Sequence, residues 1–203
     1  MNKLHIKHSG LSLNDFEKKL KQVLNAMPTV IGQAAVTHFQ ENITKRQGVP
    51  AGGSLQRFKN RVFEGSRRRG VLNDTGNLVD SIKMISRSSS SVNVGIRTSE
   101  IPYAELHQQG GKIPITDKMR KFFWAQYYQH ASSAGRSRGK RSVSTNQEAS
   151  FWKAMALKKA NMAINIPKRQ FMDVTPDLEK AILRVIKTEM GTVIGVIFMI
   201  LLT

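Results

Sequence analysis

Asp74-Thr75-Gly76 spells the catalytic tripeptide of aspartic proteases. That chemistry needs two aspartates sharing one proton across an axis of symmetry, in folds that are almost wholly β-sheet. Helical patterns flank the tripeptide here, and Asp74 or Thr75 can instead cap a short helix. A three-residue match has little specificity, so the cap is the reading adopted. Glu105 and His107 invite an acid/base or metal reading, but at i, i+2 on a helix they do not face each other. The five histidines are scattered, with no HExxH and no two-His-one-carboxylate spacing, so no metal is expected. Neither GxxxxGK[ST] nor GxGxxG occurs, which removes a phosphate cradle, and no GxSxG elbow appears, because the one matching string, Gly135-Arg136-Ser137-Arg138-Gly139, falls in a Ser/Gly/Arg-rich stretch and not at a strand-to-helix turn. The absence of cysteine excludes disulfides, thiolate metal sites and cysteine nucleophiles. The chain reads as a non-enzyme without a cofactor.

Charge is the other chemical signal. Among 203 residues, 32 Lys+Arg stand against 14 Asp+Glu, a net +18. Such a balance calls for polyanions, acidic protein partners or a membrane surface. Two basic clusters are the candidate contacts for DNA or an acidic partner: Arg67, Arg68 and Arg69 between glycines, and Arg136, Arg138, Lys140 and Arg141 in a Ser/Gly/Arg-rich stretch. Phe122, Phe123, Trp124, Tyr127 and Tyr128 lie beside Lys118, Arg120 and Lys121, and at helical spacing they read as a core stripe rather than a base-stacking platform. No helix-turn-helix or RNP-type signature occurs, so any DNA contact is non-specific and runs through phosphates. A sequence-independent nucleic-acid-binding protein is therefore the alternative function.

The elements that must carry these groups read as an α+β domain over residues 1–190. A long N-terminal helix runs from about Ser12 to Lys45, with Phe16, Leu20, Val23, Leu24 and Met27 on one side. Pro28 predicts a kink or break in it, and His38 falls on its apolar side as a packed core histidine. Gln47–Gly70 reads as a long glycine-rich loop. Strands are predicted over Ser81–Arg87 and Val92–Arg97, joined by a Ser88–Ser91 turn, with shorter ones near Lys112–Thr116 and Ala163–Ile166. Helices follow at Tyr103–Gln109, Asp117–His130, Phe151–Lys159 and Pro176–Glu189, the last capped by Thr175 and closed by Gly191. Ala131–Glu148 (residues 131–148) reads as a flexible basic insertion.

Residues 191–203 form an apolar C-terminal tail. Its run Thr192–Thr203 is 12 residues long, against the roughly 20 that a membrane-spanning helix needs. Strand, buried-plug and helix readings compete for it, and burial against a partner or the chain's own core is preferred over membrane contact. Val193, Ile194, Val196, Ile197 and Phe198 are its candidate subunit contacts. The N-terminal segment has no apolar h-region of a signal peptide, and the lack of cysteine suits a reducing cytoplasm.

Three segments carry a family resemblance. They are Val71-Leu72-Asn73-Asp74-Thr75-Gly76-Asn77-Leu78-Val79-Asp80-Ser81-Ile82, then Val92-Asn93-Val94-Gly95-Ile96, then Ile101-Pro102-Tyr103-Ala104-Glu105-Leu106-His107-Gln108-Gln109-Gly110-Gly111. With Ile166-Pro167-Lys168-Arg169-Gln170-Phe171 later in the chain, their order resembles the phage virion morphogenesis family of Mu-like phages and prophages, across residues 15 to 190. The resemblance implies a small antiparallel sheet packed with a long N-terminal and a C-terminal helix. It implies no catalysis, and assembly in the host bacterial cytoplasm into a virion as a tail-completion or head–tail joining (neck) subunit. Partners would be other neck and tail proteins, namely the tail tube, terminator and connector. Ring or low-order oligomers are common in such necks, so a homo-oligomer is expected, taken as a hexameric ring. The 131–148 insertion and the apolar tail depart from the family pattern and inherit no role from it.

Overall fold

Apolar residues recurring at three- and four-residue steps build the longest helix, α1 (Leu13–Glu41). The computed structural model describes residues 13–51, 54–58, 70–134, 140–158 and 162–201. The expected break at Pro28 does not occur. Proline removes one backbone donor and crowds the preceding turn, but tertiary packing supplies most of a helix's stability. Leu24, Met27 and Ile31, on either side of Pro28, line one groove with Ser91 and Val92. Four residues on, a Cβ at Gly32 would stand 2.5 Å from Met84 Sδ and 2.7 Å from Val92 Cγ2, so α1 meets the sheet at its bare glycine.

The described residues form two compact units. One takes its residues from Met1–Phe58, Arg69–Ala104 and Gln170–Thr203, the other from Lys59–Arg68 and Glu105–Arg169.

In the first unit α1 ends in a π-helical turn, Asn42–Arg46. Gln47 follows in the left-handed region (φ 50°, ψ 40°). Its side chain sustains that conformation by donating to the Ile43 carbonyl and accepting the Val71 N–H at 2.6 Å. Strands β1 (Gly48–Ala51) and β2 (Ser54–Arg57) then pair antiparallel, with Gly48 opposite Arg57. This hairpin stands where a loop was read. The four side chains of β2 are all exposed, so no apolar alternation marks it in the sequence.

Helix α2 is a single turn, Asn77–Asp80. Its cap position is Gly76 (φ 92°), which offers no side-chain cap bond, while Thr75 Oγ1, one residue earlier, accepts the Asn77 N–H at 3.5 Å. Strands β3 (Lys83–Arg87) and β4 (Val92–Gly95) form the serine-turned hairpin, Ser88 N–H donating to the Ser91 carbonyl at 2.8 Å.

The closing helix, α6, spans Pro176–Leu201 and packs along α1. Thr175 Oγ1 accepts the Leu178 N–H, the predicted cap. The helix does not stop at Gly191, and the apolar run Thr192–Leu201 continues it instead of forming a separate strand or plug. A glycine ends a helix by turning left-handed, and Gly191 does not; as an interior residue it costs only about 1 kcal/mol. The core joins Val36 and Phe39 of α1 and Ile43 of the π-helical turn to Leu78, Ile82, Phe171 and Leu178.

The second unit takes up the chain at Glu105 within α3 (Tyr103–Gln109), which leads into β5 (Gly111–Pro114), then α4 (Asp117–Ala134), α5 (Lys140–Ala156) and β6 (Ala163–Ile166). β5 and β6 pair antiparallel, Gly111 opposite Ile166 and Pro114 opposite Ala163. The fold is α+β as expected, with its antiparallel strands in three two-stranded sheets among the described residues. The stretch read as an insertion is helical where it is described: residues 131–134 end α4 and 140–148 begin α5. The buried Ala149 and a 3.0 Å pair of His130 Nδ1 with Glu148 extend packing into it.

Candidate functional site

Two of the segments that carry the family resemblance, 101–111 and 166–171, meet as framework. The Arg169 N–H donates to the His107 carbonyl at 2.8 Å, and the Arg169 guanidinium lies 3.4 Å from His107 Nδ1. Gly110 holds φ +75° and a Cβ there would stand 2.8 Å from the Lys168 backbone nitrogen, so side chains are excluded. Two residues beyond Arg169, Phe171 is the largest fully buried side chain, and its carbonyl accepts from Asn42 Nδ2 at 3.0 Å. Asn42, fully buried, also accepts from Arg46 Nη1 at 2.9 Å. Arg46 further bonds the His38 carbonyl and Glu41 Oε2. These residue types hold backbone to backbone. Glu105 turns to Gln109, not to His107.

Asp74 is exposed on the approach to α2, and among the described residues no cluster of three or more metal-ligating side chains forms. His38 is buried, as predicted, beside Phe39. Burial, and then the charge of Arg46, holds its imidazole below the ordinary value, against opposing pulls from Asp177 and Glu41. Its Nε2 and Asp177 Oδ2 have no hydrogen-bond partner among the described residues. His38 lines a groove of about 470 Å³ between α1 and α6, with Gln33, Thr37, Arg184 and Val185. Glu41 is held below the usual carboxylate range by the Lys45 hydrogen bond first and by the Lys45 and Arg46 charges.

Most of the sequence-predicted contact residues fall where the structure describes no side chain. Arg67, Arg68, Arg69, Arg136 and Arg138 lie outside the described residues. Lys140 and Arg141 begin α5, where the backbone alone is described. On α6, Val193 is buried while Ile194 is 50% exposed. Val196, Ile197 and Phe198 sit in its last turns, again as backbone.

One surface escaped the sequence reading. Of the five aromatics on α4, only Phe123 is buried; Trp124 and Tyr127 are partly covered, and Phe122 and Tyr128 are exposed. The signal was available: aromatics fill five of the seven positions from 122 to 128, whereas one helix face buries only three or four positions in two turns.

Residues 10–191 match the phage virion morphogenesis family, nearly the whole chain. The chain belongs to the phage virion morphogenesis family. No curated protein and no solved structure matches it. A phage virion morphogenesis protein has a structural, assembly role as a component of the particle. Among the described residues, no helix is long and apolar enough to cross a membrane.

Proposed function

We propose that this phage virion morphogenesis protein is a tail-completion or head–tail joining subunit, working in the neck by protein–protein assembly rather than catalysis. The family match over residues 10–191 carries this reading, because it spans both compact units. The long α1/α6 pairing supplies the rigid body that an assembly role requires. Exposed apolar residues on the outer side of α6, Leu183 and Ile194, offer area for neighbouring subunits. The proposed partners are the tail tube, terminator and connector proteins, together with further copies of the chain in a ring, taken as a hexamer. Assembly takes place in the host bacterial cytoplasm.

Electron microscopy of particles made without the chain is the test. Capsids and tails that accumulate separately and join when purified protein is added are the expected result. Normal joining in its absence would end the proposal. Light scattering on the purified chain reads the oligomer, and a strict monomer at all concentrations would remove the ring.

A further inference from the structure

Aromatic side chains are distributed unevenly over this protein. Seven of its fourteen, including both tryptophans, lie on α4 and α5: Phe122, Phe123, Trp124, Tyr127 and Tyr128, then Phe151 and Trp152. The core of that pair of helices uses few of them fully, since its buried members are Ile115, Phe123, Met155 and Ala156. Phe123 stacks on Trp152 at 5.9 Å between centroids and 25° between planes. The rest of the aromatic ladder climbs outward. Trp124 stacks under Tyr128 at 5.9 Å and 26°, and Phe122 meets Trp152 edge-on at 6.0 Å. Phe122 is left 53% exposed and Tyr128 63% exposed.

These two rings share a face with cations. At 100° per residue, Lys118, Lys121, Phe122, Ala125 and Tyr128 fall on one continuous side of α4, and all five are exposed. Neither Lys118 nor Lys121 is ion-paired among the described residues, and Lys153 from α5 stands 5.8 Å from the Tyr127 ring. The surrounding sequence has the same sign: residues 105–169 contain 13 basic and 3 acidic residues, so +10 of the chain's +18 lies there. A face for an uncharged apolar partner gains nothing from this excess. A sequence-independent single-stranded nucleic-acid surface needs both parts, cations to track phosphates and exposed rings for unpaired bases.

We propose that the outer face of α4 binds single-stranded nucleic acid, with Lys118 and Lys121 on the phosphates and Phe122 and Tyr128 stacking against bases. The two rings are six residues apart, about 9 Å along the helix, which is room for non-adjacent bases of one strand. Trp124, stacked under Tyr128, makes occupancy visible as a change in tryptophan emission. The inference stands apart from the neck reading, because it concerns what the purified chain binds rather than which particle joint it completes.

The test uses the full chain, a fluorescein-labelled oligothymidylate, its duplex with oligoadenylate, and phosphatidylserine vesicles. The single strand should bind with anisotropy that falls with salt and with quenching of tryptophan emission. Lys118→Gln with Lys121→Gln should flatten the log–log salt slope by roughly 0.7 for each lost phosphate contact. Phe122→Ala and Tyr128→Ala should each weaken binding about fivefold or more at unchanged slope, with Tyr128→Phe restoring it. Circular dichroism melting confirms that each variant is folded. Aromatic variants that bind like the parent chain would overturn the proposal even if the lysine pair matters, since the contact would then be phosphate alone. So would tighter binding of the duplex, or vesicle binding that depends on Tyr128 while the oligothymidylate stays free.

Discussion

The unit built on α1 and α6 and the unit built on α4 and α5 use large side chains in opposite ways. In the first, Phe39, Phe58 and Phe171 are all buried in one continuous core with Ile43, Leu78 and Ile82, and the buried polar group Asn42 is bonded on both sides. Among the described residues of the second, the buried core cluster has four members, while two rings stand in solvent beside lysines that form no ion pair there. Stability is concentrated in one unit and surface chemistry in the other. Substitutions at comparably large residues should therefore have unequal effects.

Phe171→Ala is the severest test. Phe171 is 1% exposed, and truncating such a ring costs about 3–5 kcal/mol through lost transfer energy and the cavity left behind. Urea unfolding followed by circular dichroism should show that loss. A change below 1 kcal/mol would mean that the first unit is not the stable one. Asn42→Ala comes next. It removes the donor to the Phe171 carbonyl and an acceptor from Arg46, at a cost of about 1–3 kcal/mol. Thr175→Ala removes the α6 cap, for about 1 kcal/mol.

Against these, Phe122→Ala and Tyr128→Ala should each cost no more than about 1 kcal/mol in the same measurement, because a half-exposed ring gives up only its pair contacts. Equal losses in both units would erase the contrast.

Much of the first unit was legible in the sequence. The α1 periodicity, the serine turn, the Thr175-Pro176 start of α6 and the buried His38 all follow from local patterns. What local patterns missed was decided by non-local packing or by weak backbone preferences. Pro28 is tolerated in a helix that draws stability from contacts with β3 and β4, close at Gly32. β2 has no buried side to announce it. Gly191 has the freedom to end a helix and does not use it. At the candidate site the sequence shows cations beside the α4 aromatics, but helical spacing predicts a burial that Phe122 and Tyr128 do not have. Five aromatics in seven positions exceed what one buried stripe accommodates, and that excess was the overlooked clue.

The smallest expected effect tests the buried histidine of the stable unit. His38 has its folded pKa lowered from 6.5, by burial first and by Arg46 second. The unfolded chain therefore takes up that proton more readily than the folded one. Above pH 6.5 the imidazole is neutral in both states and its contribution is fully present; below pH 6.5 the unfolded state is protonated first and stability declines until the folded value is reached. Asp177 and Glu41 pull the other way, so the slope is shallow. Glu41, also lowered, acts in a separate window below its ordinary 4.5, where protonation ends its pairing with Lys45. Urea midpoints measured from neutral pH down to pH 5 should fall in the parent chain and stay flatter in His38→Gln. Parallel curves would show that the α1/α6 groove admits enough water to leave His38 as it is in the unfolded chain.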